Sequence, residues 1–128
     1  MERLLILLAG VFGCLGVGLG AFGAHGLTKA LAGLEDATTR LGWWETAARY
    51  HLIHALGIAF AAWLTSRGAG MSPRVAGVCF AAGIVVFSGS LYTMTLTGAR
   101  WLGAVTPFGG LLLMAGWVAV CVAAFARP

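Results

Sequence analysis

The chain has 128 residues, of which 60% are hydrophobic and 9% charged, with a formal net charge of +4 and a mean hydropathy of +0.94. A soluble domain averages about 25% charged residues, so this chain is too poor in charge to cover a water-soluble surface, and a lipid bilayer is the solvent its side chains require. Its basic residues stand singly (Arg3, Lys29, Arg40, Arg49, Arg67, Arg74, Arg100, Arg127) and mostly flank apolar runs, which suits membrane anchoring and excludes nucleic acid as a partner.

The first apolar run, residues 4–27, has no charge between Arg3 and Lys29. About 20 apolar residues cross a bilayer, so a first span is predicted here. Ala21 and Gly23 imitate a signal-peptide cleavage site, but the run is longer than a signal core of about 7–15 residues, and a retained helix is expected. Gly13, Gly16, Gly20 and Gly23 alternate spacings of three and four and so share one helix face, with Gly16 and Gly20 forming a GxxxG pair. Such a face admits a second helix closely. Two readings stand: tight packing within the chain, or an oligomer seam. Gly18, Gly20 and Gly23 also match GxGxxG, but a dinucleotide site needs a strand before the glycines, and none precedes them.

Residues 28–45 are predicted as a surface loop. Leu27, Leu31 and Leu34 recur at helical spacing, so its first part is expected as a short amphipathic helix on the membrane surface. Trp43 and Trp44 suit the headgroup belt. The second span is placed at 46–65 although Arg49, His51 and His54 interrupt it. A link at 66–74 with turn formers Gly68, Gly70 and Pro73 leads to a third span at 75–97. The tighter link 98–101 then makes a hairpin with a fourth span at 102–125. The fold class is therefore all-α, a four-helix transmembrane bundle forming a single membrane domain over residues 1–128. Arg3, Arg67, Arg74 and Arg127 fall on one side, against Lys29, Arg40, Arg100 and the marginal Arg49 on the other. The positive-inside rule then puts both termini in the cytoplasm.

Cys14, Cys79 and Cys121 lie in apolar stretches without a CxxC pair, which reads as buried thiols and not as zinc ligands or disulfides.

Ionisable groups inside a membrane are costly and need partners. Antiparallel spans bring the end of the first, the start of the second, the end of the third and the start of the fourth to one surface. His25, Glu45, Arg49, His51, His54, Ser88, Ser90, Tyr92 and Thr106 therefore share one half of the bilayer, with Thr93, Thr95 and Pro107 beside them. At about 1.5 Å per residue, His54 lies roughly 12 Å in, near the midplane. Glu45 and Arg49 stand in the favourable order for a helical ion pair. Three readings of this cluster remain open. It is a buried network fixing helix register, a lipid, proton or small-molecule site in the outer leaflet, or a haem or metal site ligated by His25, His51 and His54. No catalytic constellation emerges: Ser88 and Ser90 lack a GxSxG context, and the carboxylates sit in or beside the loop. Glu45 with His25 or His51 is the only candidate acid–base pair. The chain is not expected to be an enzyme, and no cofactor is assigned.

The segments Gly20-Ala-Phe-Gly-Ala-His-Gly-Leu27, Trp44-Glu-Thr-Ala-Ala-Arg-Tyr-His-Leu-Ile-His-Ala-Leu56, Phe87-Ser-Gly-Ser-Leu-Tyr92, Leu102-Gly-Ala-Val-Thr-Pro-Phe-Gly-Gly110 and Gly116-Trp117 resemble the small membrane family known as domain of unknown function 423, which includes the eukaryotic transmembrane protein 256. The resemblance runs over essentially the whole chain. It implies a bacterial inner (plasma) membrane protein, with no established activity. The family pattern includes the positions of His25, Arg49, His54, Ser88, Ser90, Tyr92, Thr106 and Pro107; Phe108 stands where the family often has an aliphatic residue, a conservative departure. The function expected is a non-enzymatic accessory or assembly component of a membrane complex. A small transporter or lipid-binding protein is the alternative. The partners expected are the lipid bilayer, together with other membrane proteins or a second copy of the chain.

Overall fold

A computed structural model describes residues 1–126, and among them the fold is all-helical. Four helices follow in order: α1 (Glu2–Ala30), α2 (Ala37–Ser66), α3 (Ser72–Thr97) and α4 (Arg100–Ala123). α1, α3 and α4 are long and apolar enough to cross a membrane. α2 is the longest, at 30 residues, but Arg40, Glu45, Arg49, His51 and His54 dilute its hydropathy. Arg127 lies outside the described residues.

Neighbours in sequence are neighbours in space: α1 packs on α2, α2 on α3, and α3 on α4. One core cluster joins Leu5, Ile58, Ala61, Ala76, Phe80, Ile84 and Leu113 from all four helices. The Phe80 ring fills it, and Gly57 and Gly116 leave the room for that ring on α2 and α4. At the other end, Leu27, Leu31 and Trp44 form a second cluster, and Ala47, Leu91 and Met94 a third. Residues packed this way are buried whether the surrounding solvent is lipid or water, because dense contact, not hydropathy alone, stabilises them.

The helix ends differ from the sequence expectation. The surface loop predicted at 28–45 is largely helical, since α1 continues to Ala30 and α2 begins at Ala37. Only residues 31–36 connect them. The separate amphipathic helix is absent there as well: Leu27 and Leu31 cap the end of α1 and pack on Trp44, while Leu34 is exposed. The cause is a clasp that hydropathy cannot register. Arg40 donates to the Asp36 carboxylate at 3.0 Å and to the Thr95 carbonyl at 3.3 Å, and Thr95 Oγ1 donates to the Arg40 carbonyl at 3.1 Å. These bonds stabilise two further helical turns beyond the apolar stretch. Gly98 completes the clasp: its φ of +74° ends α3 in the left-handed region, and the space a side chain would occupy holds the Arg40 guanidinium.

Two helices are locally widened to π-type turns, α1 at Gly23–Leu27 and α3 at Ile84–Ser88. Each inserts an extra residue per turn and so rotates everything beyond it relative to a regular helix.

Candidate functional site

In an apolar medium a polar side chain left without a partner is costly. Among the described residues, the interior polar groups are, with one exception, bonded between or along helices. Ser88 in the widened turn of α3 donates to the Ala47 carbonyl of α2 at 2.9 Å. Ser90 lies 2.8 Å from Thr106 of α4 and donates at 2.9 Å to the Phe87 carbonyl. Trp44 donates from its indole to the Leu19 carbonyl of α1 at 2.8 Å and packs against Tyr92, with ring centroids 4.5 Å apart and the planes tilted by 56°. The Tyr92 hydroxyl in turn meets His51 Nδ1 at 3.2 Å.

His54 occupies the centre, only 5% exposed. The Trp117 indole, which can only donate, gives its hydrogen to His54 Nε2 at 3.1 Å, and the opposite nitrogen Nδ1 lies 2.7 Å from the Tyr50 carbonyl, which can only accept. This pair of partners requires a neutral ring carrying its hydrogen on Nδ1. His51 is the exception. It is 3% exposed, and its Nε2 is buried with no hydrogen-bond partner, beside the edge-on ring of Phe12 at 5.6 Å.

Of the residues expected to converge, His51, His54, Ser88, Ser90, Tyr92 and Thr106 meet inside the bundle. Glu45 and Arg49 do not join them. They pair with each other at 2.8 Å on the exterior of α2, with side chains 73% and 64% exposed. His25 sits exposed on the widened turn of α1. The three histidines are therefore not gathered around one point, both ring nitrogens of His54 are committed, and among the described residues no cluster of three or more His, Cys, Asp or Glu is placed to hold a metal ion. The Glu45 carboxylate accepts from Arg49 at 2.8 Å.

The glycine face divides as well. Gly16 fits against Leu52, and Gly23 against the Trp44 indole, whereas Gly13 and Gly20 have nothing within 4 Å of a would-be side chain. Those open glycines border two clefts between α1 and α2, about 820 and 400 Å³ in volume, which share Leu52. Neither is lined by His51, His54, Ser88 or Ser90. Cys14 and Cys121 are exposed and Cys79 half-buried, so the expectation of three buried thiols holds for none of them fully.

The Trp44 and Trp117 indoles were missed as hydrogen-bond donors, and so was the clasp of Asp36, Arg40 and Thr95. A tryptophan deep in an apolar run brings a lone N–H that needs an acceptor, which is the signal Trp117 carried. At the clasp, the Arg40 hydrogen bond, reinforced by the guanidinium of Arg100 at 3.6 Å, holds the Asp36 carboxyl below the usual carboxylate range.

A family model described as "Protein of unknown function (DUF423)" matches residues 19–110, which include every polar residue of the interior cluster except Trp117. Over 123 residues the chain is 42% identical to the UPF0382 membrane protein YwdK of Bacillus subtilis, covering 95% of this chain and 96% of that one. It is 39% identical over 123 residues to the UPF0382 membrane protein SH2409 of Staphylococcus haemolyticus, covering 96% of each. It is 37% identical over 123 residues to the UPF0382 inner membrane protein YgdD of Escherichia coli, covering 96% of this chain and 90% of that protein. No solved structure matches the chain.

Proposed function

This chain belongs to the membrane-protein family of unknown function DUF423, and from that premise we propose that it crosses a bacterial inner membrane four times, termini inward, as a non-enzymatic accessory or assembly component of a larger membrane complex. The observation that carries this reading is where the polar groups go. His54, Ser88, Ser90, Thr106, Trp44 and Tyr92 are bonded to neighbouring helices or to their own backbone. Groups bonded in this way set the register of helices and are not free to act on a substrate. Thirty residues of α2 measure about 45 Å, against about 30 Å of hydrocarbon, so a fourth crossing needs no further chain. Its buried histidines face the protein interior, as ionisable groups in a membrane must.

Two experiments test the reading. Single cysteines at Gly33, Ala69 and Ala99, probed with an impermeant thiol reagent in intact cells, should label Gly33→Cys and Ala99→Cys from outside and Ala69→Cys only after lysis. Labelling of the Gly33 and Ala69 positions from the same side would mean that α2 does not cross. Affinity purification of the full chain from native membranes in mild detergent should bring down another membrane protein in fixed ratio. Recovery of this chain with no other protein would refute the accessory role.

A further inference from the structure

α1 leans on the rest of the protein along one face only. It packs chiefly on α2, and just 11% of its most apolar stretch is buried. Beside that contact runs a groove made of the two clefts that meet at Leu52. Along α1 it extends from Glu2 to Thr28, about 39 Å at the helical rise, which exceeds the hydrocarbon core of about 30 Å. An acyl chain anchored in one leaflet would fill about half of that length. A transmembrane helix would fill all of it.

The walls suit close approach of a backbone. On α1, Gly10, Gly13 and Gly20 have nothing within 4 Å of a would-be side chain. Ala55, Ala59 and Ala62 of α2 line the opposite wall. Small residues on both sides allow the dense contact that holds helices together in lipid. The charges suggest which helix comes. Glu45 and Arg49 line the smaller of the two clefts, paired to each other at 2.8 Å yet largely exposed. Copies inserted in the same sense and related by a two-fold axis along the membrane normal carry this pair at the same depth. The axis sets like residues level with one another, so each carboxylate lies about one helical turn, roughly 6 Å along the axis, from the guanidinium of the other copy, within reach of these long side chains, and the four charges can alternate around the axis.

We propose that this groove is the seam of a parallel homodimer, closed at one end by Glu45 and Arg49 of both copies. The inference rests on the four-span reading only for the shared orientation, which the cysteine-labelling assay tests separately.

The test uses the full chain in lipid vesicles, with subunit stoichiometry counted by single-molecule photobleaching as lipid is added in excess. The wild type should remain dimeric. Gly13→Leu and Gly20→Leu enter open space in the protomer, so helicity and melting should be retained while dimer affinity falls at least about tenfold. Chains carrying Glu45→Arg should not self-associate, and neither should chains carrying Arg49→Glu, whereas the two mixed together should pair. That rescue cannot come from the bond within one chain. A monomeric wild type, leucine variants that dimerise normally, or no pairing in the mixture would each overturn the proposal. So would a monomer holding a phospholipid that Gly20→Leu displaces, which would assign the groove to lipid.

Discussion

Gly109 and Gly110 are adjacent on α4, yet the structure gives them opposite tolerances. A Cβ built on Gly109 would fall 2.6 Å from Phe87 Cα and 2.7 Å from Phe87 Cβ, and closer still to the Phe87 amide nitrogen. The nitrogen and Cα belong to the backbone of the widened turn in α3 and the Cβ is fixed by it, so none can rotate away as the end of a side chain would. At Gly110 the nearest atoms are on the Phe87 ring, at 3.8 and 3.9 Å, an ordinary contact. Replacing either glycine by alanine brings the same helix-propensity gain, at most about 1 kcal/mol, so that term cancels between the two variants. What remains is overpacking, about 1–3 kcal/mol, at Gly109 alone. Gly109→Ala should therefore be less stable than Gly110→Ala by about 1–3 kcal/mol in reversible unfolding from mixed micelles, followed by tryptophan fluorescence. Separating α3 from α4 also stretches the 2.8 Å contact between Ser90 and Thr106. Adding Thr106→Val should thus cost less in the Gly109→Ala background than in the parent. Equal stabilities of the two alanine variants, within about 0.5 kcal/mol, would refute this account of the α3–α4 contact.

The hydrogen bond between Trp117 and His54 joins α4 to α2 inside the bundle, and interhelical bonds in membranes are worth about 0.6 kcal/mol on average and up to about 1.7. A double-mutant cycle with Trp117→Phe and His54→Leu should give a coupling in that range, and an additive cycle would show that the pair contributes no specific bond. At the surface clasp, the lowered pKa of Asp36 means that the folded state binds its proton more weakly than the unfolded state. The stabilisation is complete above the usual carboxylate pKa of about 3.9 and is lost as pH falls through the lower, folded value. Melting temperature should accordingly drop more steeply with acid in the wild type than in Asp36→Asn, and parallel profiles would remove Asp36 from the clasp.

Hydropathy located the apolar helices along the chain and left rotation about each helix open. The apolar runs expected at residues 4–27, 75–97 and 102–125 fall on the three helices long and apolar enough to cross a membrane. The start of α2 was not legible, because its first two turns depend on Arg40 reaching Thr95 from another helix. The residues predicted to share one half of the bilayer were collected by counting residues from helix ends. That count fixes height and leaves direction open. His51 and His54 lie on the regular stretch of α2, and they turn inward together as their spacing of three requires. His25 lies within the widened turn Gly23–Leu27, where the regular advance of 100° per residue does not apply, and it faces outward. The same limit applied to the glycines: spacing put Gly13, Gly16, Gly20 and Gly23 on one face, but which of them touch α2 depended on where Leu52 and Trp44 stood opposite.

Height and direction together decide what a polar residue in a membrane protein can do. At one height in this chain, an inward direction consumes the side chain in bonds between helices, as at Ser88 and Tyr92. An outward direction leaves Glu45 and Arg49 bonded on one side and open on the other. An ion pair facing hydrocarbon is disfavoured, and one at the headgroup level gains little from water beyond what a lone surface pair gains. The arrangement is most stable when further charges or dipoles come to meet it from outside the chain. In the proposed dimer, the exposed pair, not the buried histidines, is therefore where the second copy makes its polar contact.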